Sequence, residues 1–141
     1  MPTLLGLCGV PIPKSVEVLD YSGFLRGGKN PGDGATVILC AAPFGEWERR
    51  VGGKEYRGVR TTRYTYVRDL DGPWLLFDNQ VDPYQTNNLV NVPAHAELQA
   101  GMDALLRRKL WERGDEFRPG ADYIAQWGHK VNTNGTVANT P

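Results

Sequence analysis

Residues 56 to 78 constrain the fold more than any other stretch of the chain. Tyr56-Arg57-Gly58-Val59-Arg60-Thr61 and Arg63-Tyr64-Thr65-Tyr66-Val67-Arg68 are rich in Tyr, Val and Thr, side chains that fit a pleated, half-buried surface. Asp69-Leu70-Asp71-Gly72-Pro73 follows, with the Asp-Gly pair of a tight turn. Trp74-Leu75-Leu76-Phe77-Asp78 then reads as a third strand. Links this short cannot carry the chain back across a sheet, so the strands form an antiparallel meander. Upstream, Ala35 to Ala41 is apolar and β-branched, bounded by Gly34 and Pro43, and reads as a buried strand.

Downstream the pattern changes period. Asp82-Pro83 ends the sheet, because proline cannot donate to a ladder, and Asn87-Asn88 marks a turn. From Ala94 to Arg113, Leu98, Met102, Leu106 and Leu110 recur at every fourth position, and Leu105 widens the stripe. That spacing predicts a long amphipathic helix with Pro93 in its first turn and Gly114 as its stop. Arg107, Arg108, Lys109 and Arg113 lie near its C-terminal end and complement the helix dipole. Pro2 to Cys8 predicts a short helix stopped by Gly9, and Leu19 to Leu25 another helical turn. The resulting fold class is α+β: a small antiparallel sheet of about four strands packed against one long C-terminal amphipathic helix.

Composition removes several functions. The chain has 141 residues, 40% hydrophobic and 10% aromatic, which is a globular composition rather than a disordered one. Sixteen Lys and Arg balance sixteen Asp and Glu, so no bulk charge draws it to nucleic acid or to an anionic membrane. No apolar run approaches the roughly 20 residues of a membrane span. Cys8 and Cys40 share no metal or redox spacing and read as two buried apolar thiols. The two histidines cannot build a His-rich zinc site; His95 reads as a surface or capping residue, and His129 has no positioned partner. Asp71, Asp78 and Asp82 are oxygen ligands in principle but lack calcium-loop spacing, and Asp82-Pro83 reads as a turn. Neither Ser15 nor Ser22 sits in a nucleophile elbow, and Gly27-Gly28-Lys29 is not a phosphate loop. No complete catalytic set is present.

Two segments could still touch a ligand. The loop Phe44-Gly45-Glu46-Trp47-Glu48-Arg49-Arg50 mixes aromatic and charged groups; Trp47 either stacks on a ligand ring or pins the loop to the core. Arg57, Arg60 and Arg63 crowd one hairpin, but strand alternation puts Arg57 and Arg60 on opposite faces. Each reads first as exposed charge, and Arg60 is the one placed to hold a sulfate or phosphate.

Read together, these motifs resemble the C-terminal region of the sulfatase family, in the alkaline-phosphatase-like superfamily. Gly58-Val59-Arg60-Thr61-Thr62-Arg63-Tyr64-Thr65-Tyr66 is similar to that family's G-x-R-x-x-x-Y-x-Y hairpin. Trp74 to Asp78 resembles its W-x-L-Y/F-D strand, and Asp82-Pro83-Tyr84-Gln85-Thr86-Asn87-Asn88-Leu89 its D-P-x-E/Q-x-x-N-L turn. A long amphipathic helix follows in both. Pro2 to Pro13 is similar to the P-T-L-L-x-L-A-G-V-P-x-P segment near the end of the catalytic domain, and the likeness extends to about Trp127. Val18 departs from it, standing where many relatives carry Gly.

The resemblance implies residues 1–42 as the tail end of an α/β catalytic domain, 43–128 as the C-terminal subdomain and 129–141 as a flexible polar tail. The start at Met1-Pro2-Thr3-Leu4 then reads as a cut through a larger enzyme. Family members hydrolyse sulfuric esters with a formylglycine, made from Cys or Ser in a C/S-x-P/A-x-R motif, beside a calcium ion. Cys8 fails that motif at both positions; Cys40 has Ala42 but Phe44 for Arg; Ser22 has Arg26 but Phe24 for Pro or Ala, and Ser15 fails both. Calcium and formylglycine would belong to an upstream part, so no catalytic or metal residue carries over and the chain alone is expected to be inactive. Its expected role is structural and pocket-shaping, with Trp47, Arg49, Arg50 and Arg60 touching a sulfate-ester substrate in a complete enzyme. The alternative is a free-standing binding or assembly module that self-associates through an exposed docking face, with neither nucleic acid nor membrane as partner.

Overall fold

The computed structural model describes residues 1–41, 54–132 and 137, so Trp47, Arg49 and Arg50 lie outside the described residues. Contacts divide the chain into two compact units, Met1–Ala35 and Thr36–Pro141.

In the first unit, helix α1 spans Pro2–Leu7 and helix α2 spans Ser22–Leu25. Proline opens α1, where its missing N–H would have had no intrahelical partner. Gly9 closes it at φ +69°, a left-handed conformation costly for any residue with a Cβ. The turn lets Gly9 N donate to Gly6 O at 3.3 Å and Val10 N to Leu5 O at 2.9 Å. Arg26 Nη2 reaches the carbonyls of Gly6 and Leu7 at 3.2 and 2.9 Å and satisfies the helix end. The expected helical turn over 19–25 begins only at Ser22, because Asp20 accepts from Ser22 N at 2.7 Å and holds an Asx turn before it.

The second unit is a four-stranded antiparallel sheet in the order β1 (Ala35–Cys40), β2 (Tyr56–Thr61), β3 (Tyr64–Arg68) and β4 (Pro73–Asp78). In the β2–β3 register Gly58 faces Val67, Val59 faces Tyr66 and Arg60 faces Thr65. The β3–β4 turn follows from Asp69, whose Oδ1 accepts from the backbone N–H groups of Asp71 and Gly72 at 2.9 and 3.0 Å. Pro93–His95 forms a 3-10 turn that leads into helix α3, Ala96–Trp111. The helix lies on β2 and β3. Met102, Leu106 and Leu110 are buried with Val59, Tyr66 and Leu76, and this is the core. Each such side chain contributes about 1.5–3 kcal/mol on leaving water.

The apolar repeat therefore marks the right face, with one change at each end. Leu98 is only half-buried, and Lys109 is buried instead, its ammonium 3.4 Å from Glu112 Oε2. A further helix, α4 (Gly120–Trp127), was not expected from the sequence pattern. No helix among the described residues is long and apolar enough to cross a membrane.

Candidate functional site

The arginines of the sheet decide what this surface can do. Arg57 was expected to be exposed; it is 4% exposed. Its Nε donates to Asp115 Oδ2 at 2.6 Å, and its guanidinium lies 4.7 Å from the centre of the Phe117 ring. Asp115 is fixed in turn by the backbone N–H of Phe117 at 2.8 Å. A buried guanidinium needs such a partner, because a lone buried charge is costly. The carboxylate comes from 58 positions away, so no local spacing could announce it.

Arg68 and Arg107 converge on Asp103 of α3, at 3.0 and 2.6 Å, and Tyr66 Oη donates to the same carboxylate at 2.8 Å. Burial pushes the Asp103 carboxyl up, but the hydrogen bonds from Arg107 and Tyr66 and the charge of Arg68 hold it below the usual carboxylate range. Burial, and the bond to Asp103, push the Tyr66 phenol well up. Arg63 grips Asp78 through Nε at 3.0 Å and Nη2 at 2.7 Å, and that contact lowers the Asp78 carboxyl. Four arginines near the sheet are thus paired with three carboxylates, Arg68 and Arg107 sharing Asp103.

Arg60 differs. It is exposed on β2, on the face opposite Arg57, and makes no ion pair with a described residue. Alternation correctly separates the two, and Arg60 is the guanidinium of this hairpin left to meet an anion. Trp47, Arg49 and Arg50, expected to line the same pocket, lie outside the described residues.

The spaced motifs have structural jobs. A Cβ at Gly58 would stand 2.7 Å from the Tyr66 carbonyl and 2.9 Å from Ile38 Cγ1, so the hairpin glycine permits a close strand approach. Asp82 accepts from Asn87 N at 2.8 Å and from Thr86 Oγ1 at 3.1 Å, and those donors, with Asn87 N foremost, lower its carboxyl. Gln85, at φ +55°, sends Nε2 to Asn79 Oδ1 at 2.8 Å and to Thr65 Oγ1 at 3.2 Å. Asn88 docks on β4: its Oδ1 accepts from Leu76 N at 2.9 Å and its Nδ2 donates to Trp74 O at 3.0 Å. Leu89 N adds a bond to Leu76 O at 2.8 Å. Asp82 is a turn residue, as its spacing suggested.

Three further expectations change. Cys8 is exposed and Cys40 half-buried, so the pair is not two core thiols; both are free. Burial, with Glu55 nearby, pushes the Cys40 thiol up. His129 is not without a partner: its ring meets Trp127 edge-on at 6.0 Å. α4 carries Tyr123 and Trp127 four residues apart, bounded by Pro119 and Gly128, a signal short enough to pass for loop. No group of three or more His, Cys, Asp or Glu side chains among the described residues could hold a metal ion.

This meander-and-helix layer recurs in solved hydrolases of the sulfatase kind. No family model matches the chain. It is 37% identical over 137 residues to the ulvan-active sulfatase of Formosa agariphila, covering 95% of this chain and 26% of that protein. Among solved structures it matches a 2-O GAG sulfatase, with TM-score 0.66, 27% identity, and 83% of this chain on 25% of that one. It also matches the phosphonate monoester hydrolase of Silicibacter pomeroyi, with TM-score 0.58, 25% identity, and 82% of this chain on 25% of that one. The chain belongs to the sulfatase family and spans about a quarter of the length of the curated relatives it matches.

Proposed function

We propose that this chain is the C-terminal portion of a sulfuric ester hydrolase, where it closes one side of the pocket and selects the part of the substrate that is not the sulfate. Arg60 carries the reading: among the hairpin arginines it is the one no described carboxylate neutralises, and it points away from the helix-covered core. Arg49, Arg50 and Trp47 would complete that wall. Formylglycine and calcium would come from polypeptide outside this chain, and residues 1–42 would be the tail end of the catalytic domain. The name of the ulvan-active relative favours a sulfated polysaccharide as substrate.

Two measurements test this. The isolated chain, given an aryl sulfate and calcium, is expected to show no turnover. In a chimera carrying this chain in place of the matched segment of the ulvan-active sulfatase, Arg60→Ala is expected to raise KM about tenfold with kcat little changed, the loss of one charged contact to bound substrate. An unchanged KM would remove Arg60 from the pocket.

A second reading, the free-standing assembly module, is favoured by β1. Among the described residues it is an edge strand, on which Leu39 is 53% exposed, and such edges invite pairing. Size-exclusion chromatography separates the two readings: a concentration-independent monomer argues against the module.

A further inference from the structure

The helix-facing side of the second unit holds a cleft of about 460 Å³, within the range of small-ligand sites. It is lined by Arg57, Arg113, Asp115, Glu116 and Arg118, with Trp127 at one wall. It lies on the opposite face of β2 from Arg60, because Arg57 lines it and strand alternation separates the two.

Three arginines meet two carboxylates here. Arg57 is spent on Asp115 at 2.6 Å and Arg118 on Glu116 at 3.0 Å. Among the described residues Arg113 has only a hydrogen bond to the Lys109 carbonyl at 3.0 Å, and no described carboxylate pairs with it. Trp127 is 59% exposed yet held in place: Tyr123 stacks on it at 5.2 Å and 26°, and the His129 ring meets it edge-on. Arg118 fixes Tyr123 from above at 4.8 Å and donates to Gln126 Oε1. An exposed, oriented indole offers a flat apolar face with little entropy left to lose. Beside it stand the Arg113 guanidinium, which no described carboxylate matches, and the polar groups of Gln126 and Glu116.

We infer that this cleft is a second ligand site that binds a pyranose ring carrying one anionic substituent, such as a sugar sulfate. The ring's apolar face lies on Trp127, the anion meets Arg113, and hydroxyls bond to Gln126 and Glu116. A single-stranded nucleic acid would also stack on an indole, but it needs a positive track, and Asp115 and Glu116 leave only one net positive charge among the charged lining residues.

The test follows the Trp127 indole N–H resonance of the full chain on titration with N-acetylglucosamine 6-sulfate, N-acetylglucosamine, sodium sulfate and a short oligothymidylate. The sulfated sugar is expected to shift it and to bind about tenfold more tightly than the neutral sugar, the size of one charged hydrogen bond. Read by calorimetric titration with the sulfated sugar, since the indole resonance is gone, Trp127→Ala is expected to abolish binding, and Trp127→Phe, which keeps a stacking face, to retain most of it. Arg113→Gln is expected to make the two sugars bind alike. Arg60→Ala is expected to change nothing, so this site and the proposed pocket wall stand or fall separately. An indole unmoved by the sulfated sugar overturns the inference. So does sulfate alone binding as tightly as the sugar, or oligothymidylate binding more tightly than either.

Discussion

Arg57 and Arg60 are three residues apart on one strand, and the two faces of that strand treat them in opposite ways. Arg57 turns inward, is buried against Phe117, and owes its place to Asp115. Arg60 turns outward and is exposed. The inward guanidinium is part of the fold: remove its carboxylate and a charge is stranded. The outward one is optional to the fold, so any cost of removing it must appear in binding. Chemistry that a sequence writes identically is divided by strand alternation into architecture and contact.

The sharpest way to break that contrast is Arg57→Ala, which strands Asp115 and opens space beside Phe117. The expected loss is about 3–5 kcal/mol, read by urea denaturation. Replacing Arg57 and Asp115 together by Met and Leu is expected to recover much of it, because no charge is then left buried. Gly58→Ala comes next, at about 1–3 kcal/mol, since its Cβ meets the Tyr66 carbonyl and neither strand can yield without disturbing the ladder. Asn88→Ala should cost about 1 kcal/mol, with Leu76 N–H and Trp74 C=O losing their partner. Arg60→Ala should fall within about 0.5 kcal/mol of the parent. An Arg60 substitution as damaging as Arg57→Ala would erase the distinction.

Acid should act on the carboxylates that hold turns and strands together. Asp103, Asp78, Asp82 and Asp69 are all held below the usual carboxylate range. A carboxyl depressed in the folded state binds its proton more readily when unfolded. Its stabilisation is therefore complete above the unfolded value of about 4 and is lost as pH falls through the folded one. Thermal melts should give a flat Tm near neutrality and a fall below about pH 4. Asp103→Asn should lower the plateau and shallow the fall.

How far the sequence discloses this molecule depends on the range of the interaction. The strand segments and the α3 stripe were legible because their periods are local: alternation for Tyr56–Asp78, every fourth residue for Met102, Leu106 and Leu110. The spaced family motifs were legible as pattern, but their purpose was not. Only the register reveals that Gly58 passes the Tyr66 carbonyl and that Gln85 reaches back to Thr65. The pairings of Arg57 with Asp115 and Arg68 with Asp103 were invisible, since they bridge 58 and 35 positions and depend on the helix docking angle. α4 was missed because eight residues with one aromatic pair carry too short a period to stand out. The same brevity hid the Trp127 cleft.

The Asn88 side chain has one more consequence. Its amide presents an acceptor to Leu76 N–H and a donor to Trp74 C=O, the pair of groups a neighbouring peptide unit would have offered. To β4 it is a fifth strand one residue long. The sheet therefore stops growing here because the place is already taken, and a hydrolysed amide at this position would turn its donor into a second acceptor and reopen it.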